Sequence, residues 1–154
     1  MTAYARIIGV GHAARGDDAV GLIVVEYLRS RMPGGIDVVS GGADVAAVLA
    51  QLEGVPTVVA VDCARGGGAP GSILRLTADT SLWPQARSTS SHGNALADAL
   101  ALGKALGCLP ARVSVFVVIG ESFGLGEPLS PAVQDAVPEL ARRVMQEATC
   151  MKPA

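Results

Sequence analysis

Strand-like apolar runs alternate with segments of helical periodicity along almost the whole chain, and this alternation constrains the fold more than any other feature. It predicts a mostly parallel sheet covered by helices on both faces. We predict strands at residues 4–10, 36–39, 56–61, 72–76 and 112–119. The strand at 72–76 follows a short glycine-rich turn, so it is expected to return antiparallel to its neighbour.

The helices are predicted from apolar residues at helical spacing and from their start signals. They cover residues 18–31, 44–52, 94–106 and 131–148, and the second begins with Asp44 as its cap. The pair Ser130-Pro131 predicts the start of the last helix, because Ser is favoured at the cap and Pro at the first helical position.

Composition excludes several classes of protein. Half of the 154 residues are hydrophobic and 17% are charged, which predicts one folded domain with a core over residues 4–148 and a loose tail at 149–154. The net charge of −2, without a basic run, argues against nucleic-acid binding. No apolar stretch reaches the roughly 20 residues that span a bilayer. The three widely spaced cysteines and the lack of a secretory signal predict a cytoplasmic protein.

Two carboxylates and one imidazole are the candidates for the chemistry. Ligands of such sheets bind beyond the carboxyl ends of the strands, and Asp18 and Asp62 both follow predicted strands. His92 precedes the predicted helix at 94–106, which would pack on the sheet near the same edge. Each residue alone is consistent with a capping or surface role. Together they suit a first-row divalent metal ion with water in its remaining positions, as in catalytic sites.

His12, just past the first predicted strand, is the candidate for an additional metal ligand. The simpler interpretation is that it holds its loop to Asp18 by a hydrogen bond. Which of the two roles His12 has stays open at this point.

Three other motifs are weaker. Gly9-Val10-Gly11 does not complete a dinucleotide fingerprint, and acidic residues at the following helix start would repel a pyrophosphate. Gly120-Glu121-Ser122-Phe123-Gly124 matches the letters of a nucleophile elbow, but Pro128 breaks the helix that should follow and no histidine lies downstream. Cys63 has no obvious base, which disfavours a thiol protease.

Five motifs distributed over almost the whole chain, from about residue 4 to 147, resemble the hydrogenase maturation endopeptidases. They are Gly9-Val10-Gly11-His12, Gly16-Asp17-Asp18-Ala19-Val20-Gly21, Val61-Asp62, Ser91-His92-Gly93, and the ending Gly120-Glu121-Ser122 with Leu129-Ser130-Pro131. The resemblance implies a three-layer α/β/α sandwich around a twisted five-stranded sheet with one antiparallel strand.

The resemblance also implies an activity: removal of the C-terminal extension from the precursor large subunit of a nickel–iron hydrogenase after nickel insertion. Asp18, Asp62 and His92 fall on the family positions that recognise nickel, which the substrate supplies. Whether the ion also polarises the scissile peptide is left open by the resemblance. Purified protein is expected to be able to take up an adventitious divalent metal at the same carboxylates.

The chain departs from the family pattern at several positions. His12 stands where the family usually has Asn, and Ala19 where it often has Gly. Ser40 and Ala43 flank the Gly-Gly pair where the family has an acid and Thr, and Ser40 weakens any role for a carboxylate there as general base.

Two further hypotheses remain beside the endopeptidase. The first is a non-catalytic, metal-sensing chaperone of the large subunit, which the departure at Ser40 keeps open. The second is a small-molecule enzyme such as a nucleoside phosphorylase or hydrolase, which the lack of a basic phosphate-binding cluster disfavours.

Overall fold

The computed structural model describes residues 2–83 and 94–153, whose strands form one five-stranded sheet. The strands are β1 (Ala5–Val10), β2 (Ile36–Gly42), β3 (Thr57–Arg65), β4 (Ile73–Thr77) and β5 (Arg112–Gly120). Their order is β2-β1-β3-β5-β4, in which β4 alone pairs antiparallel. The predicted mostly parallel sheet with one antiparallel strand is therefore confirmed.

In the described part of the chain, four α-helices cover the two faces of the sheet. They are α1 (Val20–Leu28), α2 (Val45–Leu52), α3 (Ala95–Leu106) and α4 (Pro131–Cys150). Helices α1 and α4 bury one apolar cluster against the sheet, and α2 and α3 bury a second on the opposite face. This is the expected three-layer sandwich. Among the described residues, no helix has the length and apolar character needed to cross a membrane.

The largest correction concerns the first predicted helix at 18–31. A 3-10 turn over Gly16–Ala19 precedes α1, which ends at Leu28. The side chain of Arg31 donates to the carbonyl oxygen of Tyr27 at 2.6 Å, so it binds a carbonyl of the last turn. At the other end of the chain, α4 extends through Cys150, so residues 149 and 150 of the predicted tail belong to this helix.

Two strands are longer than predicted. β3 continues past Asp62 to Arg65, because β5 offers a partner along its whole length, to the pair Arg65↔Gly120. Residues 40–42 lie beyond the predicted end of the strand at 36–39 but belong to β2, and Gly42 pairs with Val10 across a register irregularity.

Gly21 allows α1 to approach the sheet closely at the level of the strand ends. A Cβ atom at this position would lie 2.5 Å from the carbonyl oxygen of Val61 and 2.7 Å from that of Val10. Both atoms belong to the backbone of central strands and cannot move aside cheaply. A glycine inside a helix normally lowers stability, so its presence here reflects the packing of α1.

We therefore expect Gly21→Ala to lower the free energy of unfolding by about 2 kcal/mol, because overpacking outweighs the gain in helix propensity. Urea unfolding followed by circular dichroism measures the change. Gly34→Ala is the matched control, since a Cβ there meets no atom within 4 Å. Equal or higher stability of Gly21→Ala would contradict the close approach.

Candidate active site

The site lies at the point where the chain reverses its direction across the sheet. β1 is flanked by β2 on one side and β3 on the other, so the connections after β1 and β2 run in opposite directions. Ligands of open α/β sheets bind at such a switch point, beyond the carboxyl ends of the strands. Pairing of β1 with β3 ends at Gly9↔Val61, which makes Asp62 the first residue of β3 beyond this pairing.

Asp62 is a buried carboxylate with little compensation. Asp62 is only 7% exposed, and its carboxylate accepts one hydrogen bond, at 2.7 Å, from the backbone N–H of Cys63. The pKa of Asp62 is raised to about 8 by burial and, to a smaller extent, by the charge of Asp18, against the lowering effect of that hydrogen bond. A carboxylate in this setting gains much from a cation or a proton.

Asp18 lies in the 3-10 turn after β1 and is also buried. Its Oδ2 accepts a hydrogen bond from the backbone N–H of His12 at 3.0 Å. Burial raises the pKa of Asp18, while this hydrogen bond and the charges of His12 and Arg15 lower it in part. Asp18 is thus close enough to Asp62 for its charge to raise the pKa of Asp62. The loop that carries His12 is held to Asp18 by this backbone hydrogen bond.

A small cleft opens beside Asp62 on the face of the sheet that α2 and α3 cover. Its wall is mostly apolar, with side chains of Leu74, Trp83 and Ile119, and it reaches Asn94 at the start of α3. The Asp62 carboxylate therefore borders a small, concave and largely apolar space.

His92 lies outside the described residues, so its part in the site stays a prediction. Within residues 2–83 and 94–153, no group of three His, Cys, Asp or Glu side chains is placed to hold a metal ion. The donor set present is the pair Asp18 and Asp62, which fits a hard or borderline divalent cation but leaves further ligands to come from elsewhere.

Asp17 has a different role from its neighbour, which the sequence interpretation of both as helix-start residues missed. It is fully buried and accepts backbone hydrogen bonds from Glu121, Ser122 and Ser130, at 2.9, 3.0 and 2.7 Å, and one at 2.8 Å from the Ser130 hydroxyl. Burial alone would raise the pKa of Asp17, but these hydrogen bonds lower it overall. Ser130 does precede α4, yet its hydroxyl binds Asp17 instead of capping the helix.

The weaker nucleophile candidates stay excluded. The side chain of Cys63 packs in the apolar cluster beneath α1 and α4. Burial, and then the charge of Asp62, raise the pKa of its thiol, which therefore remains protonated. The hydroxyl of Ser122 donates to the carboxylate of Glu127, and α4 begins only at Pro131, so the strand-turn-helix of a nucleophile elbow is missing.

Solved structures share this fold. The chain is 24% identical to the hydrogenase maturating endopeptidase HybD from E. coli, with a TM-score of 0.79 over 97% of this chain and 93% of that chain. It is 27% identical to the hydrogenase 2 maturation peptidase from a Thaumarchaeota archaeon, with a TM-score of 0.68 over 96% and 99%. It is 24% identical to the NiFe hydrogenase maturation protease HycI from Thermococcus kodakarensis, with a TM-score of 0.68 over 94% and 92%.

No curated protein matches the chain significantly. The family described as HycI, hydrogenase maturation protease, matches residues 22–147, which is most of this chain. The match covers Asp62 and His92 and begins four residues after Asp18. Because this match spans well over half of the sequence and the fold agrees, the chain belongs to the hydrogenase maturation protease family.

Proposed function

We propose that this protein is an endopeptidase that removes the C-terminal extension from the precursor large subunit of a nickel–iron hydrogenase once nickel has been inserted. In this role, Asp18, Asp62 and His92 recognise nickel that the substrate already holds. The reaction is hydrolysis of one peptide bond, in which water adds to the carbonyl carbon and the amine leaves with a proton.

One observation carries the proposal: Asp62 is a buried carboxylate with a single hydrogen bond, and it lies within range of the charge of Asp18 at the switch point of the sheet. At neutral pH burial keeps a proton on Asp62, and an arriving divalent ion would replace this proton and bind both carboxylates, so the pair favours a substrate that bears the ion over one that lacks it. Asn94, the second residue after His92 in the sequence, lines the cleft beside Asp62, which supports a place for His92 in the same site.

The protein's own groups have separate tasks in this proposal. Asp18 and Asp62 supply oxygen ligands, and the backbone N–H groups of His12 and Cys63 fix the orientation of these carboxylates. The apolar cleft beside Asp62 excludes water around the bound peptide. Bound nickel would supply Lewis acidity near the scissile peptide.

The test compares nickel-loaded and nickel-free precursor, with the mass of the C-terminal product as the readout. We expect the wild-type protein to shorten only the loaded precursor, and the double variant Asp62→Asn with His92→Ala to shorten neither. Asp135→Asn, an exposed carboxylate on α4, is the control and should cleave like the wild type.

Each contrary result has a distinct meaning. Cleavage by the double variant would show that the metal-recognising residues are assigned wrongly. Cleavage of nickel-free precursor would refute recognition of nickel. Tight binding of loaded precursor with an intact C-terminus would instead identify a metal-sensing chaperone.

A further inference from the structure

Two loops form one connected wall beside Asp18, and we call residues 12–16 and 121–127 the paired loops. The backbone N–H of Gly126 donates to the carbonyl oxygen of Ala14 at 2.7 Å. At the other end, the N–H of Asp17 donates to the carbonyl oxygen of Ser122, also at 2.7 Å. Segments more than 100 residues apart in the sequence thus make a single surface at the carboxyl edge of the sheet.

The second of the paired loops is held firmly from within. The carboxylate of Glu127 accepts hydrogen bonds from the Ser122 hydroxyl and from the N–H of Gly124. Phe123 is buried, and the guanidinium of Arg65 lies 4.7 Å from the centre of its ring. The tip of this loop is therefore ordered before any partner arrives.

At this ordered tip, Leu125 is 75% exposed, more than any other large hydrophobic residue in the described part of the chain. Arg15, on the other loop, is exposed as well, and its charge lowers the pKa of Asp18. Within residues 2–83 and 94–153, the structure shows no ion pair for Arg15 closer than 4 Å. The paired loops thus present one apolar side chain and one cation beside the site, next to the exposed carboxylates of Glu121 and Glu127.

We propose that Leu125 and Arg15 form the docking contact for the folded body of the precursor large subunit, which would offer an apolar patch to Leu125 and a carboxylate to Arg15. This inference rests on the proposed function. A protein whose peptide reaches Asp18 must lie over the loops that flank it. Because these loops are already ordered, an exposed leucine can be buried there with little loss of conformational entropy.

The structure supplies a matched control at the opposite end of the molecule. Leu106 is 63% exposed at the end of α3, where the chain turns back toward the amino end of β5. Leu125→Ala and Leu106→Ala remove the same apolar group from two exposed positions. Only the first lies on the paired loops.

The test measures Kd for nickel-loaded precursor by calorimetry, and KM and kcat for its cleavage. We expect Leu125→Ala to raise Kd and KM about tenfold with kcat little changed, and Leu106→Ala to match the wild type. Arg15→Gln should weaken binding and flatten its dependence on salt, and Arg15→Lys should restore both.

Equal Kd values for Leu125→Ala and the wild type, or equal losses from the two leucine variants, would overturn the docking contact. Failure of the proposed function is distinguishable, because it appears as absent cleavage by the wild-type protein. Binding of the same precursor can still be measured in that case, and a tenfold loss in Leu125→Ala would still support docking.

Discussion

Asp62→Asn is expected to make the protein more stable at pH 8 while it abolishes cleavage of the precursor. The wild-type protein holds a buried carboxylate whose pKa is about 8 instead of its usual 3.8. About four pKa units correspond to roughly 6 kcal/mol, and burial of an amide returns about 2 kcal/mol of this. The expected gain in the free energy of unfolding is therefore about 4 kcal/mol.

The sign of the pH dependence follows from the direction of the shift. The unfolded chain ionises Asp62 near pH 4 and the folded chain only near pH 8, so the wild-type protein loses stability as the pH rises between these values. The Asp62→Asn variant has no carboxyl group at this position, so its free energy of unfolding does not fall in this way as the pH rises. The stability difference between the two proteins should thus grow from pH 4 to pH 8 and stay constant above it.

Urea unfolding measures this difference at pH values from about 4.5 to 8.5, in steps of about one pH unit. Asp135→Asn should follow the wild-type curve, since it changes an exposed carboxylate. Parallel curves for the wild type and Asp62→Asn would show that Asp62 is not an uncompensated buried carboxylate. The same preparations, tested for cleavage, separate loss of activity from loss of fold.

The second large effect is expected at Asp17, where Asp17→Ala should lower the free energy of unfolding by about 4 kcal/mol. The substitution removes both acceptor oxygens and leaves the buried backbone N–H of Ser130 and the part-buried N–H groups of Glu121 and Ser122 without this acceptor. Each such donor costs about 1–3 kcal/mol. Ser130→Ala is the graded control, because it removes only the hydroxyl bond to Asp17 and should cost about 1 kcal/mol.

The pH dependence at Asp17 has the opposite sign to that at Asp62. The pKa of Asp17 is lowered in the folded protein, so its contribution is present above its ordinary pKa near 4 and is lost as the pH falls below that value. Acid unfolding of the wild type and of Asp17→Ala should therefore converge. If Asp17→Ala is as stable as Ser130→Ala at pH 7, the hydrogen-bond network is wrongly assigned.

Much of the fold could be predicted because local signals agree with the tertiary structure. Buried central strands such as 57–61 are continuous apolar runs, and Asp44 and Asn94 cap their helices through side-chain hydrogen bonds. The mixed sheet followed from the short glycine-rich connection before β4. Boundaries failed where a partner strand decides them, as at the end of β3, which β5 extends beyond Asp62.

Adjacent residues Asp17 and Asp18 show why the candidate site was only partly predictable. In the sequence they are two equivalent acids at a helix start, and nothing local separates them. The segment after β5, more than 100 positions away, separates the two roles, because it supplies four hydrogen-bond donors to Asp17 and none to Asp18. The proximity of Asp18 to Asp62 could be predicted from the rule that ligands bind beyond the carboxyl ends of the strands, but the exposure of Leu125 on the paired loops could not.

The order of the strands has a consequence for the newly made protein. β5 is the last strand to leave the ribosome, yet it inserts between β3 and β4, and within the described residues it is the only strand that pairs with β4. Until it is synthesised, β3 has an open edge, and the donors that bind Asp17 do not exist. Such non-local pairing is slow and cooperative. An incomplete chain therefore lacks the hydrogen bonds that fix Asp17, the neighbour of Asp18 in the 3-10 turn.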